Sequence, residues 1–362
     1  MDSLVNMTDA ELFKLKQQME TNISTYNTLQ SSFKVLANSL YGALGCPYFR
    51  FYDCDMATSI TLSGQVAINT VETCVNNYGV SLTNKENPAI ISIAGDTDSL
   101  YLSIENLVKL LGDSVDESKL VDVIDKFAGD KLQGVISNGV KTLTIDTNAY
   151  DNKLYMKRES IAKAVLCAPK KYLFKVYDNE GVRYATPELK VTGLESQRSS
   201  TPAWVRKRLK TAYTLFFDGD QGQVQAFVKK TRNDYFNEDL SELIAASSAN
   251  NMNKFIIDGA PIKGTPAHIK ASHAYNQLII AKGLSNKYQL IKSGDKVKVC
   301  VLKMPNPTKV NTIAFSDKIP PEFGLEQFVD REFMFNKFFL EPLQRVAEVL
   351  QWNCEKKFKL EL

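Results

Sequence analysis

The stretch from residue 89 to residue 104 constrains the fold more than any other part of this chain. An apolar run at 89–94 leads into Gly95-Asp96-Thr97-Asp98, and a second apolar-rich run follows at 99–104. Two short β-type runs separated by Gly and Asp predict a β-hairpin. Asp96 and Asp98 stand at positions i and i+2, and side chains alternate faces along an extended chain, so both carboxylates are expected on one side.

Two neighbouring carboxylates repel each other unless a cation binds them, and hard divalent ions such as Mg²⁺ prefer oxygen ligands. A calcium loop of the helix-loop-helix type does not fit. Tyr101 stands at the sixth position where Gly is needed, and Leu107 stands at the twelfth in place of Glu. The pattern alone leaves two interpretations open, a metal-binding hairpin and a solvated turn.

Composition excludes several classes of protein. The 362 residues are 44% hydrophobic and 23% charged, which is typical of a globular chain with two or three structural units. His268 and His273 are the only histidines and lie five residues apart, which argues against a His-based triad or a multi-His metal site. The net charge of +3 is too small to indicate a nucleic-acid partner by itself, so any basic face must be local.

The sequence also predicts a cytoplasmic location. The six cysteines form no CxxC pair and are expected to be reduced thiols. No apolar run is long enough for a membrane span, and the first residues lack a signal-peptide core. We therefore expect no membrane partner.

Residues 25–44 predict a helix with two distinct faces, and a capping box at residues 8–11 predicts an earlier helix start. One face carries an apolar stripe that is expected to pack, formed by Leu29, Phe33, Leu36 and Leu40. Lys34, Asn38 and Tyr41 fall within an arc of about 60°, whose centre lies about 140° from the centre of the stripe. This second face aligns an ammonium, an amide and a phenol; a solvated polar face is the alternative.

The other segments predict an α/β part followed by a mostly helical part. Before residue 193 we expect a helix at 56–78, a broken helical region at 105–135 and β structure at 153–193 with a hairpin turn at 178–181. The first of these helices is expected to bury Ile60, Val66, Ile68, Val71 and Val75. After residue 193 we expect a helix that opens at Thr201 and Pro202, and further helices near 222–247, 267–282 and 325–352. We also expect a β pair at 288–291 and 296–302.

Four motifs in order resemble those of the B-family DNA polymerases, especially the T-even-type phage branch. FKVLANSLYGALG at 33–45 is similar to the family's fingers-helix motif Lys-x-x-x-Asn-Ser-x-Tyr-Gly, and GDTDS at 95–99 is similar to its palm motif. Lys170-Lys171-Tyr172 resembles the basic motif that holds the primer–template duplex, and GLESQRSSTP at 193–202 resembles the entry to the thumb. The resemblance covers most of the chain and is looser after about residue 210.

The resemblance implies an α+β fold with a polymerase palm, built on an antiparallel sheet and an Asp-bearing hairpin, together with a fingers helix and a mostly helical thumb. The implied domains are a fingers-helix region at 1–45, a palm at 46–193 with the catalytic hairpin near 89–104, and a DNA-binding thumb at 194–362.

The resemblance also implies a reaction, the addition of dNTPs to a primer 3′ end with two Mg²⁺ ions. Asp98 would be a metal ligand, and Asp96 would be a nearby carboxylate in a supporting role. Lys34 would face the triphosphate, where it balances the charge of the leaving pyrophosphate and donates a proton. Asn38 and Tyr41 would pack against the incoming nucleotide, and a weaker correspondence links Glu159 to a carboxylate near the metals.

Primer–template DNA is the implied macromolecular ligand. Lys170, Lys171 and Tyr172 would hold phosphates of the duplex as positioning contacts. The thumb-entry motif would add contacts from Gly193, Glu195, Arg198, Ser199 and Ser200. An ordinary solvated basic pair is the alternative for the two lysines.

One family motif is missing from the sequence. Asp-x-x-Ser-Leu-Tyr-Pro-Ser, which provides the opposing metal-binding Asp, has no counterpart upstream of residue 34, and the family's exonuclease region has none either. We expect a split polymerase in which a second chain carries both. The alternatives are a catalytically silent DNA-binding remnant and a fragment of a full-length polymerase.

The last residues suggest a further partner. Phe358-Lys359-Leu360-Glu361-Leu362 stands where phage polymerases of this type carry a sliding-clamp peptide. A frayed terminus is the alternative. A phage-encoded enzyme of this kind would work in the host cytoplasm.

Overall fold

The computed structural model describes residues 7–111 and 117–356, and it forms two compact units. One unit comprises Met1–Leu120 and Lys126–Lys157, and the other comprises Val121–Asp125 and Arg158–Leu362. Helices combine with antiparallel sheets, so the chain has the α+β fold that the sequence predicts. The two units do not follow the three predicted domains, and the division into fingers, palm and thumb stays a prediction.

The described residues of the first unit are mostly helical and include one β-hairpin. Its helices are α1 (Asp9–Leu44), α2 (Cys54–Leu82), α3 (Glu105–Leu111) and α5 (Gln133–Asp146), and its strands are β1 (Ile91–Asp96) and β2 (Ser99–Ser103). Helix α4 (Glu117–Phe127) contributes residues to both units, and a π-helical turn, Ala128–Leu132, links it to α5. This broken helical region matches the prediction for 105–135.

Helix α1 begins at the predicted capping box. The backbone N–H of Glu11 donates to the hydroxyl of Thr8, and the Glu11 carboxylate accepts from the Thr8 backbone at 2.9 Å. Both bonds satisfy N–H groups that a helix start leaves unpaired. The helix then runs without interruption through its 36 residues, so the predicted restart near residue 25 is not a break.

The core of the first unit lies where α2 meets the start of the hairpin. Val71, Val75, Ala89, Ile90 and Val140 form its buried cluster. Gly79 makes this approach possible, because a Cβ at that position would lie 2.0 Å from the carbonyl oxygen of Ile90. Two residues predicted to be buried, Ile60 and Val66, are instead about half exposed, because this core forms only along the second half of α2.

The second unit contains two three-stranded antiparallel sheets and most of the remaining helices. One sheet joins β3 (Ser160–Ala168), β4 (Lys171–Asn179) and β5 (Val182–Thr192) in chain order. The other is formed by the strands at 246–248, 296–301 and 312–315, and the strand at 296–301 lies in the middle. The other elements are α6 (Ala203–Asp218), α7 (Gln221–Asn237), β6 (Ala246–Ser248), α8 (Met252–Phe255), β7 (Ile256–Ile257), β8 (Ala260–Pro261), α9 (Ala267–Ala281), β9 (Lys296–Val301), β10 (Thr312–Phe315), α10 (Arg331–Phe335) and α11 (Glu341–Ala347).

Aromatic side chains dominate the core of the second unit. Five of them are fully buried: Tyr213, Tyr235, Phe315, Phe335 and Phe339. The first two lie on α6 and α7, Phe315 lies on β10, and the last two belong to the helical region after residue 330. Side chains of this size bury a large apolar area each. Together with the smaller apolar side chains they form one continuous core, whose members lie between Val165 and Cys354.

Three local predictions for the second unit are wrong. Helix α6 begins at Ala203 rather than Pro202, because the ψ angle of Pro202 is 142° and keeps it extended. The helix predicted to reach residue 247 ends at Asn237, and Ala246–Ser248 is the strand that pairs with β9. Residues 288–291 form no strand, and β9 takes β10 as its other neighbour.

No helix among the described residues is long and apolar enough to cross a membrane.

Candidate active site

The predicted hairpin is present, and its two-residue loop is Thr97-Asp98. Asp96 pairs with Ser99 across the strands, and the N–H of Asp98 donates to the carbonyl oxygen of Asp96 at 2.7 Å. Thr97 has a φ of 59°, which is the left-handed region. The alternation expected of an extended chain therefore does not hold at the tip. Asp98 is exposed, whereas Asp96 is half-buried and accepts a hydrogen bond from Thr97 at 3.2 Å.

Helix α2 holds the base of this hairpin by hydrogen bonds. The N–H of Ser92 donates to Oδ1 of Asn76 at 2.7 Å, and the N–H of Ala89 donates to the carbonyl of Gly79 at 3.0 Å. Together with the buried Ile90, these bonds tie β1 to the second half of α2. The acidic tip therefore stands on a supported strand pair, which favours a defined position for its carboxylates.

Helix α1 carries the predicted row of functional groups on its surface. Lys34, Asn38 and Tyr41 are all exposed, and Tyr41 is 43% exposed. The prediction that the apolar stripe packs is wrong for the described residues, because each member is 47–69% exposed: Leu29, Phe33, Leu36 and Leu40. None of the 36 residues of α1 is buried, so no described part of the chain covers the apolar stripe.

The acidic tip offers the kind of ligand atom that Mg²⁺ prefers, but it offers too few of them to hold the ion alone. Asp96 and Asp98 provide carboxylate oxygens, the ligands that Mg²⁺ prefers. Among the residues that the structure describes, no group of three His, Cys, Asp or Glu side chains is arranged to hold a metal. A bound Mg²⁺ would therefore need further oxygens from substrate phosphates or from another polypeptide segment.

In the second unit, the structure brings the two predicted DNA-binding motifs together. Tyr172 on β4 pairs with Thr192 on β5, so Gly193 follows directly beside the turn that contains Lys170. A Cβ on Gly193 would lie 2.1 Å from the carbonyl oxygen of Lys170. Lys170 and Lys171 are both exposed, which leaves their ammonium groups at the surface of this corner.

The thumb-entry motif forms a short 3₁₀ turn, Glu195–Gln197, followed by an exposed segment. Arg198, Ser199 and Ser200 are all exposed. Glu195 is held by Arg345, whose Nη2 donates to Oε1 at 3.0 Å. Tyr172 is half-buried and stacks on Phe174 with ring centroids 4.5 Å apart. The motif is thus fixed at Glu195 and open at the residues that follow.

Glu159 lies immediately before β3, with an exposed side chain. Its carbonyl oxygen accepts the N–H of Glu180 at 2.5 Å, which joins it to the loop of the β4–β5 hairpin. The neighbouring Arg158 pairs with the buried Asp178. Sequence reasoning missed this ion pair, since the only available signal was an Asp at the start of a predicted turn.

Known proteins are similar to this chain in the region that carries the fingers-helix and palm motifs. Residues 7–116 match the model of DNA polymerase family B, a range that includes both α1 and the hairpin. The DNA-directed DNA polymerase of Escherichia phage RB69 is 33% identical over 350 residues, which cover 92% of this chain and 38% of that protein. The DNA polymerase alpha catalytic subunit of Leishmania donovani is 33% identical over 94 residues, covering 25% of this chain and 6% of that protein.

These matches define the class, and the chain belongs to DNA polymerase family B. Within the family it resembles T-even-type phage enzymes along its whole length. The DNA-directed DNA polymerase of Enterobacteria phage T4 is 30% identical over 376 residues, which cover 100% of this chain. The chain spans about two-fifths of the length of these phage relatives, 38% of one and 41% of the other.

Proposed function

We propose that this chain provides the fingers helix, the Asp-bearing palm hairpin and the duplex-holding part of a replicative DNA-directed DNA polymerase. The reaction is the addition of a dNTP to a primer 3′ end. The observation that carries the proposal is the hairpin with Asp98 exposed at its tip and its base bonded to α2. Membership of family B and the similarity to two phage DNA-directed DNA polymerases support it.

The acidic tip would hold the metal ions. Asp98 is the proposed principal ligand, and Asp96 supports it from the end of β1. When bound, two Mg²⁺ ions would activate the attacking hydroxyl and stabilise the charge on the leaving group. Because Asp98 is exposed, its carboxylate is accessible to a metal ion that would also bind the triphosphate of a dNTP.

Helix α1 would bind the incoming nucleotide. Lys34 places a positive charge beside the triphosphate, where negative charge develops on the pyrophosphate, and its ammonium is the proposed proton donor. Asn38 and Tyr41 share its exposed face and would contact the sugar and base of the nucleotide. Their separation of three and four residues places all three on neighbouring turns.

The second unit would hold the primer–template duplex. Lys170 and Lys171 would neutralise phosphates, and the adjoining segment with Arg198, Ser199 and Ser200 would extend this contact. Phosphate contacts fix the register of the duplex without reading its sequence. Such contacts suit a polymerase, which must accept any template.

A complementary polypeptide segment would complete the site with the opposing carboxylate. Within the part of the chain that the structure describes, no third carboxylate, His or Cys joins the acidic tip, which supports this part of the proposal. So does the exposed apolar stripe of α1, together with Leu62 and Val66 on α2, which are 53% and 49% exposed. A stable protein interface buries on the order of 1,200–2,000 Å² and is more apolar when the partners are obligate. The complete enzyme would act in the cytoplasm of an infected host cell.

A sliding clamp is a further proposed partner, bound through the tail at 358–362. That tail lies outside the described residues, so the proposal rests on the sequence alone. Deletion of these five residues should leave single-nucleotide addition unchanged and reduce the length of products made with the clamp.

Primer extension tests the proposed function. The chain is mixed with the matching upstream polypeptide that carries Asp-x-x-Ser-Leu-Tyr-Pro-Ser, and extension of a labelled primer is measured with Mg²⁺ and all four dNTPs. We expect extension from the mixture and none from either polypeptide alone. Two folded polypeptides that bind primer–template DNA yet never extend it would favour the silent DNA-binding remnant.

A further inference from the structure

Glu195 differs from the residues that follow it in charge and in surroundings. Its side chain is 19% exposed, and its Oε1 accepts a hydrogen bond from Nη2 of Arg345 at 3.0 Å. Arg198, Ser199 and Ser200 are exposed and carry groups that can donate to phosphate oxygens. An ionised carboxylate only accepts hydrogen bonds, and its charge repels phosphate. The chemistry of Glu195 therefore favours a role other than direct contact with the duplex.

The residues beside Glu195 tie it to the core of the second unit. We call residues 193–200 the thumb-entry segment. Leu194 and Ser196 are 4% and 2% exposed, and Leu194 belongs to the continuous apolar core. The N–H of Arg198 donates to the carbonyl oxygen of Glu195 at 3.1 Å. The backbone of Arg198 is thus bonded directly to the residue whose side chain the ion pair holds.

The partner of Glu195 stands on a firmly packed helix. Helix α11 places three residues in the same core, each 0% exposed: Leu343, Val346 and Ala347. Arg345 lies among them in the sequence, and its side chain is 60% exposed and turned to Glu195. Both residues of the ion pair belong to the same compact unit. The ion pair therefore joins the thumb-entry segment to a fixed support outside it.

The thumb-entry segment also touches the basic turn before β4. A Cβ on Gly193 would lie 2.1 Å from the carbonyl oxygen of Lys170 and 3.2 Å from Cγ of Lys171. Gly193, Glu195 and Arg198 lie within six consecutive residues. A displacement at Glu195 would therefore move Arg198 relative to the two lysines.

We propose that Glu195 and Arg345 are positioning residues that hold Arg198 beside Lys170 and Lys171, so that the three cations meet the duplex phosphates as one surface. The proposal rests on the proposed function, because it takes these cations as phosphate contacts. It gives Glu195 an anchoring role in place of a contact with DNA. A segment that is fixed before DNA binds has less conformational freedom to lose on binding, which favours affinity.

The first test uses the full chain without DNA. Glu195→Gln keeps the size of the side chain and removes the charge that binds Arg345. Amide hydrogen exchange is followed at Arg198, whose N–H donates to Glu195, and we expect it to be at least about threefold faster. Glu332→Gln is the matched control, because it removes an ion pair with Arg232 between two other helices of the same unit and should leave this amide unchanged. Exchange at Arg198 that stays at the wild-type rate in Glu195→Gln would overturn the proposal.

The second test measures the affinity of the full chain for a primer–template duplex. If charge alone mattered, removal of a carboxylate near the DNA would strengthen binding. We expect Glu195→Gln to weaken binding instead, by about two- to fivefold, the range that a partly exposed ion pair supports. Arg345→Gln should weaken it similarly, and the two changes combined should match either one alone. Glu332→Gln should bind as wild type does. Tighter or unchanged binding by Glu195→Gln, or additive losses in the combination, would overturn the proposal.

A further double variant shows whether Glu195 acts through Arg198. Arg198→Ala removes the proposed phosphate contact and should weaken binding by itself. Adding Glu195→Gln should cause no further loss, because the cation that Glu195 positions is then absent. A second loss of the same size would overturn the proposal and leave duplex binding by this unit intact. Wild-type protein that binds no duplex would instead reject the proposed function of the unit, while the exchange result still decides whether Glu195 and Arg345 hold the segment.

Discussion

Gly193 lies directly against the backbone of Lys170, so that a Cβ at Gly193 would come within 2.1 Å of the Lys170 carbonyl oxygen. Real Cβ atoms do not approach backbone this closely. Gly193 also has a φ of 68°, in the region that glycine tolerates best. Two motifs separated by more than twenty residues therefore meet at one corner of the β4–β5 sheet. This contact is possible only because Gly193 has no side chain.

Substitution of Gly193 is expected to disturb this corner specifically. Gly193→Ala combines a positive φ with a backbone clash, so it should destabilise the protein by more than the roughly 1–3 kcal/mol of a strained backbone alone. Gly181→Ala is the matched control, with a φ of 86° and open space around it. Thermal unfolding and duplex binding are measured for both. Equal losses of stability, with duplex affinity reduced equally, would contradict the role of the close contact.

Lys170 and Lys171 are expected to contribute charge to DNA binding without sequence preference. Replacing either with Ala should weaken duplex binding similarly on unrelated sequences, and it should reduce the salt slope of log K by about one. Lys141→Ala removes an exposed lysine in the other unit and serves as the control. Affinity measured from about 50 to 200 mM salt gives the slopes. A slope that stays at the wild-type value would exclude direct phosphate contacts.

Asp98 is expected to matter for chemistry and not for DNA affinity. Asp98→Ala removes the proposed principal metal ligand, so extension by the complete polymerase should fall by at least about a thousandfold. Duplex affinity of the same variant should stay within about twofold of wild type. Asp146→Ala, another exposed carboxylate of the same unit, should change neither. Parallel losses of extension and DNA binding in Asp98→Ala would point to a structural role.

Lys34 is expected to act on the rate of nucleotide addition. Lys34→Ala should slow single-turnover incorporation by about a hundredfold, the lower range for loss of a positioned proton donor. Lys14→Ala tests a second exposed lysine of α1, which lies about 160° around the helix from Lys34. It should incorporate at the wild-type rate. Unchanged single-turnover kinetics for Lys34→Ala would rule out the proposed role.

Asp178 should make the stability of the protein depend on pH. Burial raises the pKa of this carboxyl, but the hydrogen bonds from Arg158 and Gly181 outweigh burial and leave the pKa below its ordinary value. Its stabilisation is therefore fully present above the unfolded pKa of about 3.9, and it is lost as the pH falls through the lower folded pKa. Asp178→Asn should be less stable than wild type at pH 7 and nearly equal in acid. A gap in urea unfolding that is the same at pH 7 and in acid would contradict this.

The sequence predicted local structure well where one segment carries its own signal. The capping box at the start of α1, the hairpin at Asp96–Ser99 and the turn that contains Gly181 all follow from short-range chemistry, and all three are confirmed. Prediction failed where distant contacts decide. Residues 246–248 form a strand only because β9 lies beside them, and the apolar stripe of α1 is exposed because no described segment covers it.

The candidate site also combines residues that the sequence predicts with contacts that it does not. Asp98, Lys34, Asn38 and Tyr41 were found from motifs, and their roles stay predictions. The contact of Gly193 with Lys170 and the bonds of Arg158 to Asp178 depend on the strand register of β3, β4 and β5. A one-residue change of register would move every one of these groups, and spacing in the sequence does not fix it.

The most direct measurement is a structure of the complete polymerase with primer–template DNA, a dNTP and Mg²⁺. We expect one triphosphate to contact both the hairpin and α1 of this chain. An Asp98 carboxylate oxygen should lie about 2.1 Å from a Mg²⁺ bound to the triphosphate. The Lys34 ammonium should lie within about 3 Å of an oxygen of that same triphosphate. A dNTP bound out of reach of either Asp98 or Lys34 would contradict the account.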